Sequence, residues 1–149
     1  MIEMTLDIAE RAARGALAQA AAMKIGMTAS VVDEAGRLVV TLRGDRTGFL
    51  STDTSRAKAV AAAAFKRSTR ELVEMQKTNP VFWAALPAVS RGDALPSTGA
   101  VPIVVGTRVI GAIGCGGGTP DQDHKCAAAG AAAVAVSAQG GEPWSKRLS

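Results

Sequence analysis

The sequence predicts an α+β fold in which helices pack on an antiparallel sheet. Two β-branched runs flank the turn sequence Asp33-Glu34-Ala35-Gly36, and a second such pair turns at Gly106-Thr107, which predicts two hairpins. Three Ala-rich stretches with helical spacing predict helices near the start, the middle and the end of the chain. Because hairpin strands pair antiparallel, the sheet should be antiparallel, with helices on one or both faces in a layered sandwich.

The first helix has clear start and stop signals. Thr5 can cap it, Asp7 lies in its positively polarised first turn, and Gly26 follows the last periodic residue. The final helix is marked more strongly. Thr119 at the cap, Pro120 at the first helical position and Gln122 three residues after the cap form a capping box.

The middle of the chain is predicted less sharply. A second helix should begin among Ser51–Asp53, run past Met75 and end at Asn79-Pro80. The following stretch, 79–102, shows neither helical nor strand period and is predicted to be a long loop with a short strand near 86–89. That strand would bring the sheet to about five strands. Long loops in compact domains are more often functional than not.

Length and composition limit the class of protein. The 149 residues suit one domain, predicted to span 1–140 with a polar tail at 141–149. The net charge is +4, but no Lys/Arg block is interleaved with aromatic residues, which argues against nucleic-acid binding. The N-terminus is acidic and helical, and no apolar run is long enough to span a membrane. We therefore expect a cytoplasmic protein with no membrane partner.

A core built from Ala, Val, Leu, Ile and Met suggests further that the chain assembles. Hydrophobic residues make up 48% of the sequence but aromatic residues only 3%. Small side chains give each element a thin apolar face and leave broad flat surfaces, which favours burial against another subunit. We expect a homo-oligomer, a dimer or larger.

The glycine run "GCGGGTPDQD" at 114–123 does not match a nucleotide-binding motif. No Lys follows Gly118, as a P-loop would require, and Thr119 occupies the last glycine position of the dinucleotide fingerprint. Gly116, Gly117 and Gly118 remove side chains from the end of a strand. They could form a tight strand-to-helix turn or a backbone-lined wall of a ligand pocket.

The same region carries a family resemblance. "PIVVGTRVIGAIGCGGGTPDQD" resembles the signature of the GlcG/HbpS-like family, the haem-degrading or haem-binding-uptake domain. The opening helix and hairpin are similar to that family, as is "STDTSRAKAVAAAAFKRST" with its Lys58-Ala59 pair, so the likeness extends to about Ala138. The resemblance implies a profilin-like α-β-α sandwich. It implies no single activity, since relatives include haem binders, domains fused to corrinoid adenosyltransferases and cofactor-free lyases of nitroaromatic breakdown.

The chain departs from the family pattern at two places near the expected pocket. Cys115 and Gly116 replace the usual Val-Ser, and the loop before Gly99 carries Trp83 and Arg91 where many relatives have a glycine-rich stretch. We therefore include Trp83 and Gly99 among the candidate ligand-binding residues. Trp83, Phe82 and Phe49 could anchor a loop, plug an interface or stack on an aromatic ligand.

Lys58, Arg43 and Asp45 are candidate polar site residues. Lys58 could be a solvated helical lysine, or a cation that holds a carboxylate or serves in acid/base chemistry. Arg43 and Asp45 flank a glycine at a strand end and could form a surface ion pair. Alternatively, Arg43 could bind a carboxylate through two hydrogen bonds.

His124 and Cys115 are the candidate proton-moving groups. His124, the single histidine, could be an exposed side chain, an acid/base or a haem ligand. Cys115 could be a nucleophile or a small buried filler. Together with Cys126 these two residues match no zinc-ligand spacing, so no metal is expected.

These residues support two hypotheses of different kinds. In the first, the chain binds a small anionic, aromatic compound and acts as a lyase without a cofactor. Lys58 and Arg43 would hold the carboxylate, and His124 or Cys115 would move protons. In the second, it is a non-enzymatic haem- or corrinoid-binding module.

Overall fold

The computed structural model describes residues 3–135, and these form four strands and five helices in one layered domain. The elements in chain order are α1 (Leu6–Ala22), β1 (Thr28–Asp33), β2 (Leu38–Arg43), α2 (Ser51–Phe65), α3 (Thr69–Gln76), α4 (Pro80–Val89), β3 (Ala100–Val105), β4 (Arg108–Gly116) and α5 (Pro120–Ala133). The predicted tail at 141–149 lies outside the described residues.

The four strands form one antiparallel sheet in the order β2-β1-β4-β3. β1 lies between β2 and β4, so that Thr28 is opposite Arg43 on one side and Gly116 on the other. β3 is an edge strand, paired with β4 from Ala100 opposite Gly114 onward. The predicted α+β sandwich with an antiparallel sheet is confirmed, although the described residues contain four strands and not about five.

Alternation along the strands divides the core between two helical layers. Ala29, Val31 and Ile113 point to one face, where they pack with the small residues of α1 and α5. Val32 and Ala112 point to the other face and pack with Ala59 and the neighbouring alanines of α2. Helices therefore lie on both faces of the sheet, and any contact between α2 and α5 must pass around or through it.

The termini of α1 and α5 follow their local sequence signals. The Thr5 side chain accepts a hydrogen bond from the backbone N–H of Ile8, and Thr119 with Gln122 forms the complete capping box. The start of α2 is different. Its cap residue is Leu50, without a side-chain cap bond, and the Ser51 hydroxyl instead lies 2.8 Å from that of Thr28. The predicted cap was wrong because a tertiary partner uses that hydroxyl.

The segment between α2 and β3 corrects two predictions. The predicted second helix is divided, because Lys66 adopts the left-handed conformation (φ 54°) and Ser68 caps a new helix, α3. The first part of the predicted loop, including the short strand near 86–89, is instead the helix α4, while residues 90–99 are a loop as predicted. Pro80 is the first residue of α4, a position where proline needs no N–H partner, and alanine and leucine follow with high helix propensity.

Candidate functional site

A buried ion pair joins the two helical layers. Lys58 of α2 donates a hydrogen bond to the Asp123 carboxylate of α5 at 2.9 Å, and its Nζ also donates to the Cys115 backbone oxygen at 3.1 Å. The side chains are only 9% and 5% exposed, respectively. Lys58 is thus desolvated and paired. This excludes the first of its two alternatives, a solvated helical lysine.

The ion pair lies at the edge of the sheet, next to the residue that precedes β3. Gly99 immediately precedes β3, and its carbonyl accepts a hydrogen bond from the Cys115 N–H at 2.8 Å. A Cβ at Gly99 would lie 2.9 Å from the Asp123 Cβ and 3.0 Å from both Lys58 Nζ and the Cys115 oxygen. With φ +137°, this position also disfavours any side chain. Gly99 therefore makes room for the contact between Lys58 and Asp123.

Asp123 is fully used as an acceptor. One oxygen binds Lys58 and the other accepts the Gly118 N–H at 2.9 Å. Burial raises the pKa of Asp123, while the hydrogen bond and charge of Lys58 and the Gly118 N–H oppose that rise. The result is a carboxyl group whose pKa is raised by burial although it is hydrogen-bonded to a buried lysine.

His124 follows Asp123 on α5 and is only partly buried. Its Nδ1 is buried and has no hydrogen-bond partner among the described residues. Burial lowers the pKa of His124, and the nearby positive charge of Arg70 lowers it further, against the smaller opposing effect of Asp121. Burial and Arg70 therefore favour the neutral imidazole, whose Nδ1 has no partner among the described residues.

Cys115 and Cys126 are both buried free thiols. Burial raises the pKa of Cys115 well above its usual value and raises that of Cys126 to about 11. Both remain protonated near neutral pH, so neither has the thiolate character of a nucleophile. Cys115 packs in the core with α1 and α5, in keeping with the filler role that the sequence left open.

The glycine run is mostly covered by the chain itself. A Cβ at Gly116 would lie 2.9 Å from the Thr54 hydroxyl, and one at Gly118 would lie 2.9 Å from the Gln122 amide oxygen. Gly117 is exposed and has φ +118°. Close packing of α2 therefore accounts for Gly116 and the strand-to-helix turn for Gly118, and a ligand-binding role of these glycines stays a prediction.

Arg43 and Asp45 lie on the surface at the same sheet end and do not form an ion pair with each other. Arg43 donates instead to the Thr47 carbonyl at 2.9 Å. Asp45 lines a cavity of about 560 Å³ together with Lys24 and Arg46. Their assignment to ligand binding remains a prediction.

Trp83 belongs to a cluster of three aromatic side chains. Its ring centroid lies 4.9 Å from that of Phe65 and 5.1 Å from that of Phe82. The three rings line a cavity of about 380 Å³ between the end of α2 and the turn from α3 to α4. The sequence indicated Trp83 as a candidate but not the cavity, because it predicted a loop in place of α4.

Sequence reasoning missed two features of the site. The first is Asp123, the fourth residue of α5, where the helix dipole alone would explain a negative charge; its pairing with a lysine 65 residues away leaves no local signal. The second feature is a buried set of hydroxyl groups between the sheet and α2, in which Ser30 lies 2.7 Å from both Thr41 and Ser55. Hydroxyl pairs between distant elements likewise leave no local signal in the sequence.

Within residues 3–135, no group of three or more His, Cys, Asp or Glu side chains is arranged to hold a metal ion. None of the helices in that range is both long and apolar enough to cross a membrane.

Solved structures of known proteins share this fold. A crystallised double mutant of HbpS from Streptomyces reticuli is 32% identical, with 89% of this chain and 87% of that chain covered and a TM-score of 0.79. The crystallised PduOC–haem complex is 24% identical, with 89% and 95% covered and a TM-score of 0.79, which shows a common fold.

A curated relative and a family model agree with these structures. An uncharacterised 15.0 kDa protein from the dhaT–dhaS intergenic region of Citrobacter freundii is 28% identical over 121 residues, which are 81% of this chain and 84% of that protein. The model of the family described as "Haem degrading protein HbpS-like" matches residues 4–132. The chain therefore belongs to the HbpS-like family.

Proposed function

We propose that this protein is a haem-binding module in which His124 supplies the protein ligand to the iron. The observation that carries the proposal is the buried Nδ1 of His124, which has no hydrogen-bond partner among the described residues. Buried polar atoms are normally paired, so the protein does not hold the imidazole at Nδ1, and Nε2 would be the nitrogen that ligates the iron. Neutral imidazole is a common axial ligand of haem iron, and the lowered pKa of His124 keeps it in that form.

The relatives support a role connected with haem. The family is described as haem degrading, and PduOC, which shares the fold, was crystallised with haem. His124 is also the single histidine of the chain, and tyrosine is absent, so few side chains could replace it as a ligand. Arg70 of α3 lowers the pKa of His124 through its charge and forms an ion pair with Asp121, so it would have to exchange that partner to hold a haem propionate.

Titration of the purified protein with haemin tests this proposal. We expect a Soret band that saturates at a fixed haemin ratio and is lost or shifted in His124→Ala. Added imidazole should restore the wild-type spectrum of that variant. Lys125→Ala, an exposed neighbour on the same helix, is the matched control and should bind like the wild type. An unchanged Soret band in His124→Ala would rule out His124 as the ligand.

A second candidate function is that of a cofactor-independent lyase acting on an aromatic acid such as a hydroxylaminobenzoate. It is favoured by the buried Lys58–Asp123 pair, since a desolvated amine next to a carboxyl of raised proton affinity is suited to acid/base chemistry. Arg43 would contribute to binding the carboxylate of a small anionic ligand. Cys115 is the weakest of the proposed proton-moving groups because its thiol stays protonated.

Substrate consumption by the wild type and by Asp123→Asn separates this candidate from the first. Asn has the size of Asp but only one acceptor oxygen, so it gives up one of the two hydrogen bonds of Asp123 and cannot accept a proton; turnover should fall by at least about 100-fold. The circular dichroism spectrum must remain that of the folded protein. Absence of turnover by the wild type over a panel of hydroxylaminobenzoates would leave the haem-binding proposal alone.

A further inference from the structure

We propose that the cavity lined by Phe65, Phe82 and Trp83 is a binding site for a small planar aromatic compound carrying an amide or a similar polar group. The site lies at the end of α3 away from Arg70 and His124, so the proposal does not depend on haem binding. Its remaining lining residues are Met75, Thr78 and Asn79.

The concentration of aromatic side chains at one place is the first argument. The chain has only three Phe and two Trp, and three of these five rings surround this one cavity. The rings contact each other edge-on or tilted, with centroids 4.9–6.2 Å apart. Trp83 is 6% exposed while Phe82 is 46% exposed, so one ring forms the floor and another an open wall. A fourth flat ring would find both edge-on and stacked partners there.

The size and polarity of the cavity are the second argument. Its volume of about 380 Å³ suits a compound of one or two rings and is at the low end for ligand pockets. The Met75 side chain, 38% exposed, adds a polarizable thioether, which makes favourable contacts with aromatic rings. The wall is therefore suited to an aromatic ligand more than to an aliphatic one.

Asn79 provides the polar end of the site. It occupies the cap position of α4, yet its side chain makes no capping hydrogen bond. The amide is exposed at the rim of the cavity and can both donate and accept. The Thr78 hydroxyl is already used, because it donates to the Met75 carbonyl at 3.1 Å. A ligand with a carboxamide group could pair with Asn79 through two hydrogen bonds.

Fluorescence of Trp83 provides a direct test. In a Trp144→Phe background Trp83 is the single tryptophan. We expect 4-nitrobenzamide to quench its emission saturably, with a dissociation constant between about 10 μM and 1 mM. Cyclohexanecarboxamide, which has the same polar group but no aromatic ring, should compete weakly or not at all. Linear quenching without saturation would overturn the proposal.

Three variants complete the experiment. Phe82→Ala should weaken binding of 4-nitrobenzamide by about tenfold, while Phe49→Ala, the matched change at a ring 75% exposed elsewhere, should leave it unchanged. Asn79→Ala should weaken 4-nitrobenzamide by roughly three- to tenfold but leave 4-nitrotoluene unaffected. Equal affinity in Phe82→Ala and the wild type would overturn the site. If Phe82→Ala changes only the molecular mass measured by light scattering, a second copy of the chain covers this surface. That result would also overturn the proposed site.

Discussion

Gly99 shows how a single residue can control the candidate site. The space where its Cβ would lie is occupied by Asp123, Lys58 and the Cys115 carbonyl, all at 2.9–3.0 Å. Two of these are the charged partners, which cannot separate without leaving a buried charge unpaired. The effect of a methyl group at this position should therefore exceed an ordinary backbone penalty.

We predict that Gly99→Ala destabilises the fold by more than about 3 kcal/mol in urea denaturation. Gly106→Ala is the matched control. Gly106 also has positive φ (+63°), but nothing lies within 4 Å of the position of its Cβ. Gly106→Ala should lower the free energy of unfolding by about 1 kcal/mol, which is the backbone contribution alone. Similar losses in the two variants would show that the contact at Gly99 is not tight.

His124 supplies a second prediction at this scale, on the pH dependence of stability. Its pKa is lowered in the folded chain, so near and below about pH 6.5 the unfolded chain binds more protons there. The free energy of unfolding should therefore fall between about pH 7.5 and about pH 5.5. His124→Gln should show a smaller fall over the same range. An equal pH dependence in the two proteins would contradict the neutral, partly buried imidazole.

At the scale of elements, the Lys58–Asp123 ion pair links α2 and α5, which lie on opposite faces of the sheet. Most other contacts of α2 with β1 and β4 are made by small apolar residues and hydroxyl groups. The apolar contacts select the position along the helix only weakly, whereas the hydroxyl hydrogen bonds fix α2 against β1. The Lys58–Asp123 pair is directional, and it fixes α2 relative to the start of α5.

We predict strong coupling between the two charges. Lys58→Met and Asp123→Asn should each cost about 3–5 kcal/mol, since each leaves a buried polar partner uncompensated. The double variant should cost clearly less than the sum. Lys77→Met, which removes an exposed pair with Glu74 (both side chains 67% exposed), is the control and should change stability by less than about 1 kcal/mol. Additive losses would show that the charges do not act as a pair.

At the scale of the whole molecule, the surface of α4 is unusual. Every residue of this helix is apolar, yet only Trp83 and Leu86 are buried, and Val81 and Val89 are 81% and 77% exposed. Exposed apolar surface of this kind marks association sites. It agrees with the oligomer that the small-residue composition predicts.

We therefore predict a dimer or larger assembly at about 10 μM, measured by light scattering coupled to size exclusion, because such surface association is typically micromolar or tighter. Val89→Asp should lower the average mass by placing a charge on the apolar surface. Thr107→Asp, which adds the same charge on the exposed hairpin turn, should leave the mass unchanged. A monomeric wild type would contradict the prediction.

The features that the sequence alone determined are those whose causes lie within a few residues. Thr5 caps α1, Thr119 and Gln122 close the capping box of α5, and Gly36 permits the turn between β1 and β2. Each is a local hydrogen bond or a local backbone conformation, so a short window contains all its partners. The hairpins and the α+β class follow from the same local signals.

Only the tertiary structure decided which distant residues meet. Lys58 and Asp123 are 65 residues apart, and they pair because the sheet order brings Gly99 to an edge where a side chain is missing. In the same way, the Ser51 hydroxyl pairs with that of Thr28 and does not cap α2 as predicted. Burial and pairing depend on how the layers pack, and that packing depends on the whole chain at once.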